Sequence, residues 1–124
     1  MKEEIRDKWV AALRSGEFVQ GHYTLYDFSY NSYCCLGVLC ELHRREFRSE
    51  SWILGTPSFY FGHESHLPPE VIEWLGIEED MYLSSFLMGA NDSDGWPFAK
   101  IARYIEAYDE AKVKSDDYYS REEE

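Results

Sequence analysis

Three cysteines and a histidine fall within ten residues, as Cys34, Cys35, Cys40 and His43. Thiolate and imidazole are the preferred ligands of zinc, and together they form a cysteine nucleophile with its base. The spacing supports neither use well. In the set Cys35, Cys40 and His43, Cys35 lies five residues before Cys40, outside the usual ligand spacing of two to four residues. On a helix Cys40 and His43 share a face, while Cys35 lies roughly 140° from Cys40. His63 and His66 are the candidates for a fourth ligand. Cys34, near a helix start, would have its thiolate favoured by the dipole. It would still need a positioned histidine, for which His22, His63 and His66 are candidates. The segment from Tyr33 to Leu42 is also the most apolar of the chain. Buried, unreactive thiols are therefore the favoured reading. No catalytic residue, metal or other cofactor is expected, and a small Cys- or metal-dependent hydrolase is the minor alternative.

A second chemical feature is Asn91-Asp92-Ser93-Asp94-Gly95, rich in oxygen ligands. An EF-hand loop counted from Asp92 fails, because its twelfth position is Arg103 rather than glutamate. A turn feeding the last helix is the favoured reading. Trp96, directly after a glycine, must staple that helix or form the wall of a pocket. The helix start at Tyr33-Cys34-Cys35 offers unpaired N–H groups, a fit for one phosphate, with Arg14, Arg44, Arg45 and Arg103 as candidate helpers. The ligand-binding set expected from these features is Tyr33, Cys34, Asn91, Asp92, Trp96 and Arg14.

The elements that must position these groups can be read from hydrophobic period. Ile5, Trp9 and Leu13 predict a helix over residues 3–15, ended by Gly16. Residues 18–30 read as strand, with Tyr26, Phe28 and Tyr30 on one face and Tyr23 and Leu25 on the other. Asn31-Ser32 then caps a helix from Tyr33 to Phe47. Trp52-Ile53-Leu54 and Phe59-Tyr60-Phe61 form short strands around a turn. Leu67-Pro68-Pro69-Glu70 opens a short helix that Gly76 stops. Met81 to Met88 fits strand or helix equally. A last helix runs from Pro97 to Lys112. The expected fold is α+β: three to four helices packed on a small antiparallel sheet from residues 18–30 and 50–62. Residues 1–114 form a single globular domain and residues 115–124 a charged flexible tail.

The 124 residues carry 24 acidic and 12 basic side chains, a net charge of −12, and 17% are aromatic. That surface repels nucleic acid and anionic membranes, so no direct nucleic-acid or membrane contact is expected. An odd cysteine count with two adjacent suits a reducing cytoplasm. So many aromatics exceed what a core needs, and tyrosine favours half-wet seams, which points to a ligand pocket or a homo-oligomer.

The stretches WVAALRSG (9–16), Gln20-Gly21, YCCLGVLCEL (33–42), LPPEVIEWLGI (67–77), Asn91-Asp92 and FAKIARYIE (98–106) carry a likeness. The chain resembles a family of small, mostly uncharacterised proteins of bacteriophages and other mobile elements that share the YCCLGVLC-type block. It departs from that pattern at Pro97, where a helix-capping Ser or Thr is expected. The resemblance implies a setting: a phage accessory protein in the cytoplasm of an infected bacterium, countering host defence. Two non-catalytic readings follow. One is sequestration of a small nucleotide-like signal; the alternative is an acidic protein–protein inhibitor that occupies the nucleic-acid site of a host defence nuclease.

Overall fold

The computed structural model describes residues 1–108, apart from the side chain of Met81. The expected end of the last helix at Lys112 and the tail 115–124 lie outside the described residues. Helix α1 (Glu3–Arg14) buries Ile5, Trp9, Val10 and Leu13, and places Glu3 and Glu4 at its positive end and Arg14 at its negative end. Helix α2 (Cys35–Phe47) is the centre of the molecule, buried on nearly every side from Cys35 to Glu41. It packs against α1, against α3 (Pro69–Leu75) and against α4 (Met81–Asp92). Trp9 donates its indole N–H to the Cys35 carbonyl at 3.0 Å, which fixes α1 on the start of α2.

Helix α3 obeys its punctuation, with Pro69 in the first turn and Gly76 as the left-handed cap at φ 82°. In α4, Asp80 caps the start by accepting from the Leu83 N–H. A fifth helix, α5, occupies residues 98–108 and buries Phe98, Ile101, Ala102 and Ile105. Among the described residues five helices therefore stand where three to four were expected. The stretch Met81–Met88 is helical, and Asn91 and Asp92 end that helix instead of forming a turn; the turn begins at Ser93.

The strands are shorter than expected and form two sheets. β1 (Val19–Gln20), β2 (Tyr26–Asp27) and β3 (Ser32–Tyr33) pair in the order β1-β3-β2, with β1 parallel and β2 antiparallel to β3. β4 (Trp52–Ile53) and β5 (Phe59–Tyr60) form a separate antiparallel hairpin. Positive φ at Tyr23 (71°) and Asn31 (48°) turns the chain twice within residues 18–33. Alternation therefore does not persist: Tyr26 and Leu25 are buried, while Phe28, Tyr30 and Tyr23 stand in solvent. Ser32 lies in β3 and Cys34 is the N-cap of α2 without a side-chain hydrogen bond, so the expected Asn31-Ser32 cap is not used.

Candidate functional site

The end of α4 places Asn91 in the interior, fully buried, facing the start of α2. Its Oδ1 accepts from the Cys35 N–H at 3.2 Å and from Gln20 Nε2 at 2.9 Å. Its Nδ2 donates to the Gly21 carbonyl at 2.9 Å and to Asp92 Oδ1 at 2.8 Å. Two donors and one double acceptor are all that an amide has, so Asn91 is saturated. Asp92 Oδ1 also accepts from the Tyr23 N–H at 2.9 Å, which holds Tyr23 in its left-handed conformation. Gln20 Nε2 donates in addition to the Trp96 carbonyl at 2.8 Å, and the Gly21 N–H to the Tyr33 carbonyl at 2.7 Å.

The fold thus brings together Tyr33, Cys34, Asn91, Asp92 and Trp96, five of the six residues expected to bind a ligand. Arg14 is engaged elsewhere, its guanidinium on the Glu106 carboxylate, joining α1 to α5. What the five build is a knot. The N–H at the α2 start that was expected to meet a phosphate is capped by Asn91 from 56 residues away. Trp96 packs edge-on against Phe86 and Tyr104, with Lys100 Nζ 4.3 Å from its ring centroid, so it staples α4 to α5. Toward solvent the knot presents Tyr23 and the half-buried Asp92 and Trp96.

All three thiols are buried. Burial pushes Cys34 up to about 12 and holds Cys35 and Cys40 well above their ordinary range. Only the thiolate attacks, so neutral thiols are inert. A disulfide reagent added near neutral pH should leave Cys35 and Cys40 unmodified in the native protein and label both once denaturant is added. Fast labelling of the native form would show that the α2 start opens.

Glu41 went unnoticed in the sequence, although an acid inside an apolar helix with arginines three and four residues on is a readable signal. It is buried, and it accepts from Arg44 (2.7 and 2.8 Å), Arg45 (3.0 Å) and the Trp52 indole N–H (3.2 Å). Burial alone would raise its carboxyl, but the hydrogen bonds from Arg44 and Arg45 outweigh it and hold Glu41 below the usual range. Arg45 also pairs with Glu17. Two cations and two anions cancel in this cluster, so it is no ready anion site. Tyr33 packs nearby against Phe18 and Tyr26, and burial, with Glu41 second, raises its phenol.

His43 is likewise buried, its Nδ1 2.7 Å from the Tyr60 hydroxyl and its ring surrounded by Phe47, Phe61 and Trp74. Burial lowers its affinity for a proton, against a smaller opposing effect of Glu70. Among the described residues no three His, Cys, Asp or Glu side chains converge as metal ligands would. Nor is any of their helices long and apolar enough to cross a membrane.

No curated protein and no solved structure matches this chain. The profile of the domain of unknown function DUF8296 covers residues 1–109, and the chain belongs to that family.

Proposed function

We propose that this protein acts by binding, without catalysis, and that its partner is a basic protein surface. In the fuller form of this reading it is a phage accessory protein that counters host defence by occupying the nucleic-acid site of a nuclease. The observation that carries it is the partition of charge. Residues 1–48 hold seven acidic and seven basic side chains, residues 49–99 hold nine carboxylates and no Lys or Arg, and residues 100–124 hold eight against five. Among the described residues the ion pairs join α1, the 15–18 loop, α2 and α5; no carboxylate of residues 49–99 has a Lys or Arg partner. Asp80 and Asp92 are spent on backbone N–H groups. Of the other seven, all but the half-buried Glu70 are exposed, and none has a Lys or Arg partner among the described residues, a distribution that suits a cationic partner.

This reading is preferred to capture of a nucleotide-like signal because the α2 start is capped and the Arg44–Arg45 cluster is neutralised. A homo-oligomer is proposed alongside it. Phe28, Tyr30, Ile53 and Leu54, 55–77% exposed, sit where residues 26–29 are hydrogen-bonded to residues 55–58, a surface on which two copies would meet. The test of the main reading is a salt titration of the complex isolated from host cells, with DNA as competitor. The bound protein should be released steeply as salt rises and should exclude DNA. A salt-tolerant complex, DNA bound together with the protein, or a small molecule as the only co-purifying species overturns it.

A further inference from the structure

The geometry points to the solvent face of α3 as the surface that grips that partner, and to an amphipathic basic segment as what it grips. This rests on the proposed binding reading and adds the place and the shape. One flank of α3 is an open cleft of about 480 Å³ lined by Pro69, Ile72, Glu73 and Glu78. The other flank carries Phe47, 57% exposed, against the half-buried Trp74, with ring centroids 6.0 Å apart over the buried His43. Glu73 and Glu78 stand exposed in the lining of the cleft, and the half-buried Glu70 is on the same helix. None of these three carboxylates has a Lys or Arg partner among the described residues. Lys2 is bonded to the far end of the helix, its N–H on the Leu75 carbonyl.

Apolar floor and acidic rim together select the occupant. A purely apolar partner would leave the carboxylates facing it desolvated and unpaired, and a purely basic one would leave the cleft and the Phe47–Trp74 face in water. A segment with Lys or Arg on one side and large apolar groups on the other satisfies both, and arginine can also stack on the Trp74 ring. A second copy of this chain would bring carboxylates against carboxylates here.

The experiment uses the full chain and two synthetic helical peptides. One carries Lys and Arg on one face and Leu and Phe on the other; the second has the same charges with Leu and Phe replaced by Ser. Two protein variants remove equal charge from the same cation-free region: Glu70→Gln/Glu73→Gln/Glu78→Gln on α3, and Glu50→Gln/Glu64→Gln/Asp94→Asn away from it. Titration calorimetry should show the amphipathic peptide binding wild type roughly tenfold more tightly than the Ser peptide. The α3 variant should lose roughly tenfold and the other variant at most about threefold. Phe47→Ser, at an exposed position, should also weaken the amphipathic peptide, and melting temperatures should confirm that each variant is folded. Equal losses in the two charge variants, or equal affinity for the two peptides, overturn the α3 surface while leaving a basic partner in place. No binding of either peptide to wild type overturns the basic-partner reading as well.

Discussion

Gly37→Ala should abolish stable folding. A Cβ at this position would lie 1.7 Å from the Leu25 carbonyl oxygen and 2.6 Å from its carbon, both backbone atoms. Leu25 and the α2 residues around Gly37 are fully buried, so neither side has room to withdraw. Overpacking of a core by one methyl group ordinarily costs about 1–3 kcal/mol because neighbours shift. Here the neighbour is main chain held by its own hydrogen bond, Leu25 N–H to the Glu64 carbonyl at 2.7 Å, and relief requires moving α2 from the loop. The loss should exceed about 3 kcal/mol, a large part of a typical domain's 5–15 kcal/mol. Chemical denaturation followed by far-ultraviolet circular dichroism measures it. A variant with a midpoint close to wild type would show that the helix and the Leu25 loop separate without penalty.

Asn91→Ala should rank second. It strands the Cys35 N–H and the Gly21 carbonyl in the interior and takes one donor from Asp92. Each buried polar group left without a partner costs about 1–3 kcal/mol, so a loss of about 3–5 kcal/mol is expected. Asn91→Asp separates the causes. It keeps an acceptor for Cys35 but sets a second carboxyl beside Asp92, which raises the new group's pKa in the folded state. A carboxyl whose folded pKa is raised favours the fold when protonated, so this variant should lose stability relative to wild type as pH rises above about 4. Denaturation midpoints at acid and neutral pH decide it. If Asn91 serves as a knot, function in these variants should fall in step with the folded fraction. A stable Asn91→Ala protein that has lost function would return the residue to a binding role.

Helices α1, α2 and α3 were legible because each carries an apolar stripe and recognisable punctuation: Ile5, Trp9 and Leu13 in the first, Pro69 and Gly76 around the third. Helix α4 was not, since Leu83, Ser84, Phe86, Leu87 and Met88 give no clean period and Asn91-Asp92 is ordinarily turn chemistry. The sheet was misread because the aromatics of residues 18–30 alternate while the backbone reverses at Tyr23 and Asn31. The meeting of the α2 start with Asn91 and Trp96 was anticipated, but not its saturation. Three of the four partners of Asn91 lie 56, 70 and 71 residues away, and no local pattern encodes such pairings. The charge partition was present in the sequence throughout and becomes visible only when acids and bases are counted by segment.

That partition acts before any contact is made. The first 48 residues are neutral by formal count and the next 51 hold nine of the twelve net negative charges. Where its cation-free carboxylates gather, as Glu73 and Glu78 do at the α3 cleft, the local field is negative as well as the net charge. Before the proposed cationic partner, such a patch would bias tumbling encounters toward the α3 face. Under the proposed binding reading it would raise the fraction of collisions that arrive in a productive orientation, and with it the association rate, at the low ionic strengths where the field reaches beyond the first few ångströms.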